Sequence, residues 1–122
     1  MKIFIVEDQP WFLEQLEALV ASVPNAHMVG SADTAQGAIS AIVLAEPDVV
    51  LVDLMLKEGT GFEVLRNFRT QAPQVKLLVV TSFPTPGIKK ACMLGGASGF
   101  FDKLLELDEL RNMLETLAAS PK

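Results

Sequence analysis

A doubly wound α/β fold, with five parallel strands in one sheet and helices on both faces, is what this sequence predicts. Short apolar segments alternate five times with segments of helical period. The run Asp48-Val-Val-Leu-Val-Asp53 holds four consecutive apolar residues, three of them Val, as a strand buried on both faces requires. A chain of 122 residues is long enough for a real core, and residues 1–122 are read as one domain.

Lys2 to Val6 is the first strand. Pro10 suits a helix start, where its missing N–H is no loss. Phe12, Leu16, Leu19, Val20 and Val23 recur at helical spacing, so the helix runs to about Ser22, and Pro24-Asn25 breaks it. His27 to Ala32 is the second strand. A helix from about Thr34 to Ala45 follows, with Asp33 as its expected N-cap. Pro47 prevents its continuation, and the Asp48–Asp53 strand comes next. Gly59-Thr60-Gly61 turns the chain into a third helix, which ends near Ala72-Pro73. Val75 to Thr81 is the fourth strand. Pro84-Thr85-Pro86-Gly87 delays the fourth helix to between Thr85 and Gly87, and Gly95-Gly96 ends it. Ser98 to Asp102 is the fifth strand. Leu107, Leu110, Met113, Leu114 and Leu117 mark the last helix, with Glu106, Asp108 and Glu109 at the positive end of its dipole. Ala118 to Lys122 is expected to fray. The strand order expected of such a chain is the flavodoxin-like 2-1-3-4-5.

Composition excludes several function classes. Half the residues are hydrophobic, so the chain is globular, and no apolar run approaches the ~20 residues of a membrane span. Glu7-Asp8 falls where a signal peptide would still be apolar, and the single cysteine, Cys92, fits a reducing compartment, so a cytoplasmic location is expected. Net charge is −5, and no basic cluster extends beyond Lys89-Lys90, so direct nucleic-acid binding by this domain is not expected. Neither G-x-G-x-x-G nor a P-loop follows the first strand, which argues against nucleotide binding.

Ligands of open α/β sheets sit beyond the carboxyl ends of the strands. Asp53 is therefore expected at the mouth of a site. The first strand ends in Glu7-Asp8, the fourth in Thr81-Ser82, and the fifth near Asp102-Lys103. Doubly wound topology gathers these ends at one edge. Three carboxylates so close repel one another, and a hard divalent ion removes the conflict. Mg²⁺ takes oxygen ligands and retains waters, so two carboxylates and a loop carbonyl after Asp53 leave room for a phosphoryl oxygen. Thr81 can donate to a second phosphoryl oxygen, Lys103 can pair with a third, and Asp53 is the nucleophile.

This pattern resembles the receiver domain of two-component response regulators, over essentially the whole chain. The matching features are the acidic pair Glu7-Asp8, Asp53 at the end of the third strand, Gly61 eight residues later, Thr81, and the stretch Gly96-Ala97-Ser98-Gly99-Phe100-Phe101-Asp102-Lys103. The resemblance implies that Asp53 accepts a phosphoryl group from a sensor histidine kinase or phosphotransfer protein. It implies Mg²⁺ held by Asp8, Asp53 and the Met55 backbone carbonyl, with Glu7 binding directly or through water. It implies that Thr81 moves onto the phosphoryl group and Phe100 turns into the vacated space. The face of the fourth helix, fifth strand and fifth helix then changes for an output partner or domain, with homodimerisation on phosphorylation as a further expectation.

The sequence departs from that family at three places. Ser82 stands where Ala or Gly is usual. Leu104 replaces the proline after the lysine, and a cis bond before a non-proline would be disfavoured by about 3 kcal/mol, which points to trans. The start of the fourth helix suggests a short or mobile helix. Trp11 and Phe12 are both expected to pack the first helix on the sheet. Cys92 reads as a small core residue, His27 has no ligand partner nearby, and Leu104, Leu105 and Leu107 either cover the sheet edge or form an exposed patch. Two other functions compete. One is a receiver-like interaction module that does not use phosphorylation, against which the full set of site residues stands. The other is an aspartate-nucleophile phosphatase, which needs a second Asp where Met55 lies.

Overall fold

The computed structural model describes residues 1–72 and 74–120. Five strands, β1 (Lys2–Val6), β2 (His27–Ala32), β3 (Val49–Val52), β4 (Lys76–Thr81) and β5 (Gly99–Asp102), form one parallel sheet in the order β2-β1-β3-β4-β5. Five helices among the described residues, α1 (Pro10–Ala21), α2 (Ala35–Ala45), α3 (Gly61–Gln71), α4 (Pro86–Leu94) and α5 (Leu107–Ala119), alternate with the strands. The predicted fold class and strand order are the ones observed.

Period-two alternation divides the core. Phe4 and Val6 of β1 face one buried cluster, with Val50 and Val52 of β3 and residues of α2, α3 and α4. Ile3 and Ile5 face the other, with Val49 and Leu51 and residues of α1 and α5. Both faces of β3 are therefore covered, and all four of its residues are buried. Each Val or Ile so buried stabilises by roughly 1.5–3 kcal/mol relative to leaving it exposed.

Three local expectations need correction. Thr34, not Asp33, caps α2: its side-chain oxygen accepts from the Gly37 amide at 3.0 Å, while Asp33 is exposed. Phe12 is buried as expected, but Trp11, at the second position of α1, is 56% exposed and touches Phe12 only edge-on. Ala118 and Ala119 do not fray but belong to α5, which ends at Ala119 with Ser120 as its C-cap. The expected stop at Pro73 and fraying at Pro121 and Lys122 lie outside the described residues.

Two features position the loops of one sheet edge. Gly61 N donates to Leu54 O at 2.9 Å, and a Cβ at Gly61 would overlap the Asp53 carbonyl oxygen, so only glycine lets α3 start against that strand end. α4 is the shortest helix, at nine residues, and Cys92 is its one wholly buried side chain. Thr85 caps it through a 3.2 Å bond from the Ile88 amide.

Thr34→Ala is expected to lower stability in urea unfolding by about 1 kcal/mol, since it orphans a helix-end amide. Asp33→Ala should stay within about 0.5 kcal/mol of the parent. Equal losses would return the cap to Asp33.

Candidate functional site

Sheet register brings the polar strand ends together. Val6 pairs with Val52, and the Asp53 amide donates to Val6 O at 3.0 Å, so Glu7 and Asp53 emerge side by side. Thr81 pairs with Asp102, and the Lys103 amide donates to Thr81 O at 2.8 Å. Glu7, Asp8 and Asp53 each present a carboxylate oxygen within 4.8 Å of the other two. Glu7 and Asp8 lie far from Asp53 in sequence, and topology alone makes them its neighbours.

The Lys103 ammonium closes this hollow. Its Nζ lies 2.9 Å from Glu7 Oε1 and 3.1 Å from Asp53 Oδ2. Glu7, Asp53, Thr81 and Lys103 are all buried. Asp53 was expected at the mouth of the site; it stands at the strand end, but Lys103 is drawn against it and it is 6% exposed. The electrostatic reason is plain: a buried carboxylate pair draws the nearest cation over itself. Asp8 is half-buried.

The loops contribute backbone donors. The Met55 amide points to Asp53 Oδ1 at 3.4 Å, the Gln9 amide to Glu7 Oε2 at 3.1 Å, and the Phe83 amide to Thr81 Oγ1 at 3.0 Å. Thr81 accepts there and keeps its hydroxyl proton to give. Ser82 is exposed beside it. Phe100 is partly buried against the core on the α4 side of the sheet.

The sequence matches the response regulator receiver domain over residues 3–115. The chain belongs to that family. Among relatives of this receiver, the DNA-binding transcriptional activator DevR/DosR of Mycobacterium tuberculosis is 29% identical over 119 residues, which is 98% of this chain and 55% of its own length. The receiver spans about half the length of the curated relatives it matches. A two-component response regulator of the LuxR family from Aurantimonas sp. SI85-9A1 is 27% identical, with a TM-score of 0.89 over 97% of this chain and 84% of that one. A LuxR-family DNA-binding response regulator from Staphylococcus aureus shares the fold, with a TM-score of 0.86 at 23% identity over 96% of this chain and 98% of that one.

Burial lifts the Glu7 pKa from 4.5 to about 6; Lys103 pulls it down, and the Asp53 charge adds to the rise. Burial works to lower the pKa of Lys103, but Glu7 and Asp53 outweigh it and raise it above 10.5, so the ammonium stays charged. Glu7 Oε1 is paired with Lys103 yet has no aligned hydrogen bond. Three carboxylates and one cation leave the receiver's hollow with surplus negative charge. An all-oxygen donor set in that condition fits a hard divalent cation.

Two contributions escaped the sequence reading. Asp102 and Glu106 tie the loop that carries Lys103: Asp102 Oδ1 accepts from the Leu104 amide at 2.8 Å and the Leu105 amide at 3.3 Å, and Glu106 Oε1 accepts from the Asp102 amide at 2.9 Å. An aspartate holding the amide two residues on is an Asx-turn, which was available as a signal. It fixes the loop where the family's usual proline is missing, and no cis peptide bond occurs among the described residues. The second is Phe12, whose ring centroid lies 4.5 Å from Lys103 Nζ. Leu104 and Leu105 do not act as cover; they are 78% and 80% exposed.

Because the folded state binds the Glu7 proton more tightly than the unfolded chain, Glu7 favours folding most at low pH. That advantage is expected to fade as pH rises from about 4.5 to about 6, by up to about 2 kcal/mol. Glu7→Gln should flatten this part of the urea stability profile. An unchanged slope in the variant would assign the effect to another group.

Proposed function

We propose that this receiver is a phosphorylatable switch whose acceptor is Asp53. The observation that carries the reading is the convergence of Glu7, Asp8 and Asp53 in one hollow, with Lys103 bound to the acceptor. An Asp53 carboxylate oxygen attacks the phosphorus of a phosphohistidine on a sensor histidine kinase or phosphotransfer protein. The P–N bond breaks, its electron pair stays on the imidazole nitrogen, and the product is an aspartyl phosphate. The chain then acts as an acceptor with slow self-hydrolysis, not as an enzyme turning over external substrates.

Asp8, Asp53 and the Met55 carbonyl would hold Mg²⁺, with Glu7 as a direct or water-mediated partner. Bound there, Mg²⁺ supplies charge neutralisation to the phosphoryl oxygens. Lys103, freed from part of its pairing with Asp53, meets one phosphoryl oxygen, and Thr81 donates its hydroxyl proton to another. Thr81 also holds the Phe83 amide, so a movement of Thr81 toward the phosphoryl group is felt by the loop ahead of α4. Phe100 then turns inward, and the face of α4, β5 and α5 changes for an output partner or domain. The shift is limited to the difference in phosphoryl contacts between the two states. The small anchorage of α4 makes that face the easiest to remodel. Homodimerisation through it and a cytoplasmic setting belong to the same proposal.

The rim of the hollow supports docking of a protein and not of a small molecule alone. Trp11, Met55, Phe83, Leu104 and Leu105, all on loops or a helix start at this sheet edge, are exposed apolar side chains. The acidic charge of the chain gives no support to nucleic-acid binding by this domain.

Incubation with acetyl phosphate and Mg²⁺ is expected to add one phosphoryl group, about 80 Da by intact mass, in a base-labile linkage. Asp53→Asn should take up none, and chelation of Mg²⁺ should abolish uptake by the parent. An adduct that survives Asp53→Asn would move the acceptor elsewhere. No adduct under any condition would favour an interaction module independent of phosphorylation.

A further inference from the structure

The Lys103 ammonium is buried, and its surroundings are unequal. Glu7 and Asp53 face it on one side, and the Phe12 ring lies on another, 4.5 Å from centroid to Nζ. Phe12 is 2% exposed and locked in the α1 and α5 side of the core, and the Trp11 ring meets it edge-on at 5.5 Å and 73°. A cation over the face of a desolvated ring is attracted by the ring quadrupole, more strongly than at a wet surface.

We propose that Phe12 is a positioning residue of the acceptor site: its ring is the seat that holds the Lys103 ammonium in its resting place on Glu7 and Asp53. This deepens the phospho-acceptor reading and rests on it. A ring attracts an ammonium without accepting a fixed N–H bond. The ring therefore takes up none of the three N–H groups of Lys103 and leaves them all for oxygen acceptors. The ammonium can therefore exchange a carboxylate oxygen for a phosphoryl oxygen while the ring keeps it from water. An aliphatic residue at position 12 would fill the core but offer no such attraction. Seated on Glu7 and Asp53, the ammonium also competes with any cation for the same oxygens, so α1 takes part in setting metal affinity.

The test replaces Phe12 with phenylalanines carrying one, two and three ring fluorines, which weaken the ring face at nearly constant shape. Urea unfolding without metal is expected to show a stepwise fall in the folding equilibrium constant, about threefold over the series. In a Lys103→Met background the series should be flat. Equal slopes in both backgrounds, or no slope in either, overturn the seat. Mg²⁺ affinity, followed by Trp11 fluorescence, should rise along the series as the resting ammonium loosens. A constant or falling affinity overturns the competition. Failure of the phospho-acceptor reading shows separately, as a parent chain that takes no adduct from acetyl phosphate while its fluorine slope still requires Lys103. If the parent binds no Mg²⁺, the unfolding series alone decides the seat.

Discussion

One ammonium holds the functional edge of this molecule together. Lys103 sits between two buried carboxylates from different strands, with an aromatic ring against it. Remove it, and Glu7 and Asp53 are left as adjacent buried charges with no cation between them, an arrangement that disfavours folding by several kcal/mol. Much of the surrounding architecture can be understood as bringing that one group to that one place. The register of β4 and β5 sets its height, and the Asp102 and Glu106 ties set the loop.

The pairing is also why the site can respond to charge. A buried ion pair of this kind is weak evidence for stability but a sensitive element, because each change in charge at Asp53 alters what Lys103 prefers. Glu7 is already strained toward its neutral form by burial. The hollow therefore favours added positive charge, and Thr81 and Lys103 of the neighbouring strands lie beside it.

The fold was legible because its signals are local and repeated. The strands β1, β3 and β4 are apolar runs, and four of the five strands lead into polar residues that the parallel topology sends to one edge. Glu7, Asp8, Asp53, Thr81 and Lys103 could be named together for that reason. Details that depend on a rotation of one residue were not legible. Trp11 and Phe12 are both large and adjacent, and only the start of α1 at Pro10 decides which faces inward. Asp33 and Thr34 are both good caps by type, and only the backbone path decides between them. Whether Asp53 is open or covered depends on where a long lysine side chain rests, and no spacing rule contains that. The Asx-turn at Asp102 was legible in residue type alone, and only the backbone path shows which amides it holds.

The anchorage of α4 through Cys92 has a practical corollary. This sulfur is the only one of its kind in the chain, it is wholly covered, and burial keeps it in the unreactive thiol form. An alkylating reagent can meet it only during excursions in which α4 lifts from the sheet. The molecule thus carries an internal clock for the opening of its own surface, readable by thiol alkylation with no change to the sequence.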